Sequence, residues 1–452
     1  MKRALFAFIA LALASTTSAS TFKVGADGTF ASIQSAINAA IVAGGSNQIQ
    51  VEAGTYNENL SLTQTAGTLD ILGGWNAAFS QRNLDPSATQ ILGGVVSRVL
   101  NASISGGQFT FSGFSFVGGT ATDRGGGAYL HIANTGLAQI RNSRFVFNTV
   151  SAPSGGNALG GAFYAELFNT GGLIFDGNVV DSNSATVING AANGGGVFIE
   201  AFDSTDAALS NCVIQNNVSA ATNASGHASA GGAQFDIAGS ALITANRTRF
   251  LSNSLQASDV NHASFSGAFV SGGCNGNCEF DLSQSTFDGN HGFIATQLEV
   301  AIGGVGSPLV SLSNSQISRG SGGGVQLQID SGTAHVVNLT VADNAGTGIY
   351  LVPNAPITLF NSLSFANSAD LVEAGPGVTL GNNMSGVDPL FVDAAQGNYH
   401  LQANSPARNA ATATPPGGLG LFDLDGNPRI FGAAPDIGAF EIGDRIFKDG
   451  FQ

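Results

Sequence analysis

The sequence predicts a parallel β-helix. Three observations point to it: a two-part repeat through the middle of the chain, strand-period alternation of Leu, Ile, Val and Phe within it, and asparagine at its turns. One half of the repeat reads strand, asparagine turn, strand, asparagine, as in QIRNSRFVFN (139–148), IFDGNVVDSN (174–183) and TANRTRFLSN (244–253). The other half opens on small residues: GGAYL (126–130), GGAFY (160–164), GGVFI (195–199), GGAQF (231–235), SGAFV (266–270) and GGVQL (323–327). The closing positions 148, 183, 217, 253, 290, 320, 344 and 367 lie 35, 34, 36, 37, 30, 24 and 23 residues apart. The shortest spacing holds three strands of about four or five residues and three turns, which is one rung of a solenoid. It is too short for a four-stranded propeller blade, and the paired leucines of a leucine-rich repeat are absent. Asparagine suits the turns because it tolerates left-handed backbone and can bond its counterpart in the next rung.

In chain order, residues 1–19 read as an export signal. Lys2 and Arg3 supply the charge, Leu5 to Ala14 the apolar run, and Thr17-Ser18-Ala19 a small-residue cleavage site. Residues 20–98 form an N-terminal cap and the first rungs. Within them, segment 30–43 places Ile33, Ala36, Ile37, Ala40 and Ile41 on one helical face, able to cover the open end of the first rung, and Gly44-Gly45 ends it. Residues 99–385 are the repeats. Their longer early units carry insertions at 149–159, 184–193, 218–230 and 254–265, rich in Ser, Ala, Asn and Gly, which should stack along one side. Residues 386–443, richer in Pro, Asp and Gly, read as a compact C-terminal cap, and 444–452 as a tail.

Composition narrows the function. Of 452 residues only 10% are charged, with 30 acidic and 15 basic side chains, and lysine occurs only at Lys2, Lys23 and Lys448. Such a chain has no basic face for nucleic acid. Losing Lys2 and Arg3 leaves 13 basic groups and a net charge of −17. No later segment is long and apolar enough for a membrane helix, so an exported, soluble, acidic protein acting as a monomer is expected. An oxidising compartment favours a short-loop disulfide between Cys274 and Cys278, since a zinc site would need two more ligands that no spacing supplies. Cys212 reads as a small buried apolar residue.

Several motifs resemble known families. Asp27-Gly28-Thr29-Phe30 with Ile33-Gln34-Ser35-Ala36-Ile37, then Glu52-Ala53-Gly54-Thr55-Tyr56-Asn57-Glu58, resembles the N-terminal segment of pectin-lyase-fold proteins. That resemblance implies the right-handed form of the solenoid. The Phe-x-x-Asn units at 145–148, 250–253 and 287–290, with Gly-Gly-Ala at 126, 160 and 231, resemble the repeats of polymorphic outer-membrane proteins. Those proteins end in a membrane barrel, which the residues after Asn367 are too few to build, so self-anchoring is not expected. Gly73-Gly74-Trp75-Asn76 through Gly93-Gly94, and Asp388-Pro389-Leu390-Phe391 through Phe440-Glu441, resemble bacterial choice-of-anchor Q domain proteins. The stretch from Arg445 to Gln452 resembles a short end tag of some secreted bacterial proteins.

None of the catalytic patterns of the pectin-lyase fold carries over. There is no Asp-Asp dipeptide and no lysine between 24 and 447, and triad, P-loop and zinc-protease motifs are missing. Aligning the rungs on Gly-Gly-x gives a sharper lead: Tyr129, Phe163, Phe198, Gln234 and Phe269 fall in one outward column. His131, Ala165, Glu200, Asp236 and Ser271 fall in the next, where Glu200 and Asp236 become adjacent carboxylates, one of which should have a raised pKa. Such rings and carboxylates suit a sugar-binding surface, with Glu200 and Asp236 the only candidates for acid catalysis; alternatively the inserted loops bury the stripe as a second core. Asp423-Leu-Asp425-Gly426-Asn427, with Asp436 as a fourth ligand, resembles part of a calcium loop, although Asp-Gly turns also occur without metal. The favoured function is a secreted or surface-associated binding or adhesion module for a polysaccharide or other cell-surface ligand. The rival is a lyase or hydrolase acting on acidic polysaccharide, which like-charge repulsion disfavours.

Overall fold

The computed structural model describes residues 20–94, 97–223, 225–257, 265–292 and 295–443; the export-signal and tail segments lie outside these. The chain is a right-handed parallel β-helix. Each rung contributes one strand to each of three parallel sheets, which reach 11, 13 and 12 strands among the described residues. One rung runs through Ala128–Ile132, Leu137–Arg141 and Arg144–Val146 before the next begins at Phe163–Leu167. Alternate side chains point inward. The core is therefore a set of columns along the axis, such as Phe116, Phe145, Val180, Ile214, Phe250 and Phe287. Within it the ring pairs Phe116–Phe145 and Phe250–Phe287 stack at 4.5 Å.

Asparagines hold the corners. Asn148, Asn183, Asn217, Asn253 and Asn290 are buried, and the side-chain amides of the first four each donate to the Oδ1 of the next at 2.9–3.0 Å. Position 320 is glycine and cannot continue this ladder. Instead the Gln297 side chain fills the gap, accepting from Asn290 Nδ2 at 2.9 Å and donating to Asn344 Oδ1 at 2.6 Å. A Cβ on Gly320 would come within 2.6 Å of Gln297 Cγ, so the two residues are fitted to each other.

Between the 13- and 12-stranded sheets, each turn from Asn142 onward carries a left-handed residue. Asn142, Gly177, Asn211, Arg247, Gln284, Asn314, Asn338, Asn361 and Asn382 occupy it with φ between 46° and 65°. The next residue points inward and is often Ser, Thr or Asn. Cys212 stands in this column; it is buried as expected, but its thiol also donates to Phe175 O at 3.3 Å, and burial pushes its pKa up to about 12.

The insertions do stack on one side, and they do so as strands. Thr149–Ala152, Ser184–Val187, Val218–Ala221 and Ser254–Ala257 join a five-stranded sheet, and Asn157–Leu159, Ala191–Asn193 and His227–Ser229 form a three-stranded one. Small apolar residues such as Val150, Ala158, Ala185 and Ala192 pack between them as a second core. Residues 258–264 of the last insertion lie outside the described residues.

At the N-terminal end, α1 (Ile33–Ala43) packs on Ser20–Val24, Ser46–Glu52 and Leu60–Gln64. Ser32 caps it, and both Glu58 carboxylate oxygens accept from its first backbone N–H groups, where an anion is favoured. Ile33, Ala36, Ile37 and Ala40 are buried, whereas Ile41 is 40% exposed. Two helical turns of 100° steps carry position 41 about 80° away from Ile33, off the buried face.

Residues 386–443 do not plug the distal end. They fold back along the outer face of the 12-stranded sheet, where Tyr399 OH donates to Asp343, Gln284 Nε2 to Asp423 O and Ala439 N to Thr340 Oγ1. Leu401, Ala407 and Ile437 pack on Leu363. Leu380, in register with the core residue Leu359, is 45% exposed, so the described residues leave that end open. Among the described residues no helix is long and apolar enough to cross a membrane.

Candidate functional site

The outer face of the 11-stranded sheet carries two columns of side chains. Its register aligns Tyr129, Tyr164, Phe198, Gln234, Phe269 and Glu299 in the first. The second holds His131, Glu166, Glu200, Asp236 and Ser271. Phe163 is not among them. It stands opposite Ala128 and Val197 and is fully buried against Phe145 and Phe175. The small-residue run here is Gly160-Gly161-Ala162, with Ala162 in the place that Gly127 and Gly196 hold in the neighbouring rungs. Matching Gly-Gly pairs therefore slips the register by one residue, and one residue reverses the face. The same correction replaces Ala165, which is buried, with Glu166.

The first column is largely covered. Tyr164, Phe198 and Gln234 are buried, while Tyr129 and Phe269 are half-buried. Tyr164 packs against Tyr129 at 5.6 Å and edge-on to Phe198 at 5.5 Å. The Arg124 guanidinium lies over the Tyr164 ring at 5.0 Å, and Arg98 over Tyr129 at 5.3 Å. Beside them runs the three-stranded insertion sheet, from which Ser229 Oγ donates to Gln234 Oε1 at 3.1 Å. The stripe thus belongs to a secondary packed layer, and stacking of a ligand on Phe198 is excluded.

The second column is polar and partly exposed. Glu166 accepts from Arg124 Nη1 at 3.3 Å and from Tyr129 OH, and its Oε1 lies 2.8 Å from His131 Nδ1. Glu200 accepts from Tyr164 OH. Asp236 accepts from Ser271 Oγ at 2.6 Å and Gln234 Nε2 at 3.1 Å. Burial holds the Glu200 carboxyl above the usual range; the Tyr164 hydroxyl opposes this, and the charges of Asp236 and Glu166 add to it. Burial also raises Asp236, against the pull of Ser271 and Gln234. Tyr129 is pushed up to about 12, first by burial and then by Glu166, so its hydroxyl remains a donor.

Along the far edge of this column, Phe168 and Phe202 stack at 5.2 Å with 19° between their planes, half-exposed, and His131 lies 5.5 Å from Phe168. An open depression of ≈370 Å³ lies between Phe202, Asp236, Ser271 and Ala301. The result is a groove with acceptor carboxylates and a hydroxyl along its floor and ring faces along one edge. Sequence reasoning missed Tyr164, Glu166, Phe168, Phe202 and Arg124. The glycine triplets at 125–127 and 194–196 would have corrected the first two, because they define a three-residue rather than a two-residue anchor.

Cys274 and Cys278 are joined in a disulfide, with Cα atoms 5.9 Å apart. The carboxylates of the calcium-like motif are engaged within the protein, and Asn427 Nδ2 donates to Asp423 Oδ2 at 3.1 Å. Asp423 accepts from the Asn427 and Glu441 backbone N–H groups, Asp436 from those of Asn409 and Ile442, and Asp425 faces His400 Nε2 at 2.6 Å. Among the described residues no group of three or more His, Cys, Asp or Glu is placed to hold a metal ion.

Fold and groove together define a parallel β-helix protein with a polar outer face. Residues 234–387 match the family model described as "Right handed beta helix region". A search of curated proteins finds no match to the chain.

Proposed function

We propose that the protein is an exported or cell-surface binding module that holds a polysaccharide chain along the groove of Glu166, Glu200, Asp236 and Ser271. The observation that carries this reading is the line of partly exposed acceptors beside the stacked Phe168–Phe202 pair. Carboxylates accept sugar hydroxyls, and ring faces cover the apolar faces of pyranose units. The acidic excess favours a neutral chain over a polyanion. Export is supported by the charged and apolar pattern of residues 1–19, and surface association by the motifs resembling choice-of-anchor Q proteins and outer-membrane repeats.

The test is retention on a panel of insoluble polysaccharides, with the released fraction assayed for new reducing ends and unsaturated products. Wild type should be retained on a neutral polymer without product, and a Phe168→Ala/Phe202→Ala double variant of unchanged melting temperature should lose retention. Equal retention of both forms removes this reading. One observation favours hydrolysis: Glu200 and Asp236 lie one rung apart, and the charge of Asp236 adds to the burial that holds the Glu200 carboxyl above its usual range, as a general acid needs. Product formation that Glu200→Gln abolishes would establish that second reading.

A further inference from the structure

A second, unrelated cleft lies where residues 386–443 fold back over the 12-stranded sheet. It encloses ≈730 Å³; its floor includes Arg249, Thr286 and Gln316, Arg247 stands at its edge, and His400 and Phe440 form the opposite wall. The arginines here are unlike the others. Arg98, Arg124, Arg141, Arg144, Arg319 and Arg429 each lie against a carboxylate. Arg82 and Arg408 donate to backbone carbonyls. Among the described residues Arg247 and Arg249 alone have neither kind of partner, although the chain carries twice as many acidic as basic groups. The acidic groups lining the cleft are already engaged: Arg319 holds Asp288 through two nitrogens, and His400 faces Asp425.

The backbone gives an independent indication. In the column of left-handed turn residues, seven of nine positions are Asn or Gly, the types that adopt this conformation at low cost. The exceptions are Gln284 and Arg247. Gln284 is accounted for, since its amide docks the C-terminal segment through Asp423 O at 2.7 Å. Arg247 is exposed and docks nothing among the described residues, so folding offers no return for placing a long charged side chain in a strained turn.

We infer that this cleft is an oxyanion-binding site, in which Arg247 and Arg249 hold a carboxylate, sulfate or phosphate group of a small ligand. Guanidinium forks recognise such groups through paired N–H donors. Thr286 and Gln316 offer further polar contacts, and the half-buried His400 ring, packed on Phe440 with centroids 4.2 Å apart, lines the opposite side for the rest of the molecule. The site is on a different sheet from the polysaccharide groove, so either proposal stands or falls alone.

The experiment is calorimetric titration of the full chain at low ionic strength with sodium citrate, sulfate and inorganic phosphate in turn. At least one should bind in the millimolar range or tighter, and the one that binds identifies the group. Arg247→Gln/Arg249→Gln should weaken that binding by about tenfold or more, while Arg141→Gln, remote and paired with Asp176, leaves it unchanged. Absence of binding by all three anions, or equal binding by the double variant with an intact melting transition, overturns the assignment.

Discussion

The backbone N–H and the side-chain amide of Asn217 both donate to one oxygen, Asn253 Oδ1, at 3.1 and 3.0 Å. The same two-donor pattern joins Asn148 to Asn183 and Asn183 to Asn217, so each asparagine fixes the spacing of two rungs while satisfying buried backbone. Replacing Asn217 with Ala leaves the Asn183 N–H and the Val180 carbonyl of the preceding rung without their partner and takes one donor from Asn253 Oδ1. A loss of about 1–3 kcal/mol follows, read as a lowered melting temperature. Asn217→Asp should be no better, because the carboxylate cannot donate to Asn253 and sets two acceptors face to face.

The exception in that ladder gives a sharper test. Gln297 reaches into the place that Gly320 leaves empty, and neither residue alone explains the other. Gln297→Ala should cost about 1–3 kcal/mol by orphaning Asn290 and Asn344. Gly320→Asn alone should also destabilise, because its Cβ meets Gln297. The double variant Gln297→Ala/Gly320→Asn should recover part of the loss, since an asparagine then stands in register with Asn290 and Asn344. Thermal unfolding of the four forms makes a double-mutant cycle, and additive losses would contradict the exchange.

These residues mark how far the sequence could be read. Repeat length and turn asparagines suffice for the rung, because both follow from backbone geometry that every rung shares. The groove needed the strand register to one residue, and a Gly-Gly anchor was ambiguous between Phe163 and Tyr164 where Ala162 replaces a third glycine. Side-chain substitution across a gap, as by Gln297, leaves no trace in a pattern of fixed positions. The course of residues 386–443 depends on pairings such as Gln284 with Asp423, 139 residues apart, which local composition does not encode.

Glu299 gives the protein a pH-dependent weakness. It lies in register between Phe269 and Gln326, is 6% exposed, and its Oε2 has no hydrogen-bond partner among the described residues. Burial pushes its pKa up to about 8, against about 4.3 in an unfolded chain. Between those values the folded state keeps a proton that the unfolded state releases, so stability falls as pH rises through that window. Glu299→Gln keeps the shape without the ionisation. Its melting temperature should match wild type near pH 4 and exceed it at pH 8 and above, by an increment of about 1–3 kcal/mol. A constant offset across that range would show that the carboxyl does not titrate as placed.

The C-terminal segment is held from within by a buried ion pair. Arg429 Nε lies 3.2 Å from Glu441 Oε1, both side chains are almost wholly enclosed, and Arg429 Nη2 donates to Asp436 O and Gly438 O. Removing one partner strands the other charge away from water, which costs about 3–5 kcal/mol, whereas replacing both with apolar residues of similar volume can be neutral. Glu441→Leu or Arg429→Met should therefore loosen residues 386–443 from the sheet while the rungs persist. The combined variant should recover part of the packing but not all, because Asp436 N, Asp436 O and Gly438 O also lose their partners. Limited proteolysis reads the difference: cleavage within 386–443 should be slow in wild type, rapid in each single variant and intermediate in the double variant. Equal protection in all four forms would show that the segment is held by its contacts with the rungs, through Tyr399, Leu401 and Ile437, and not by this pair.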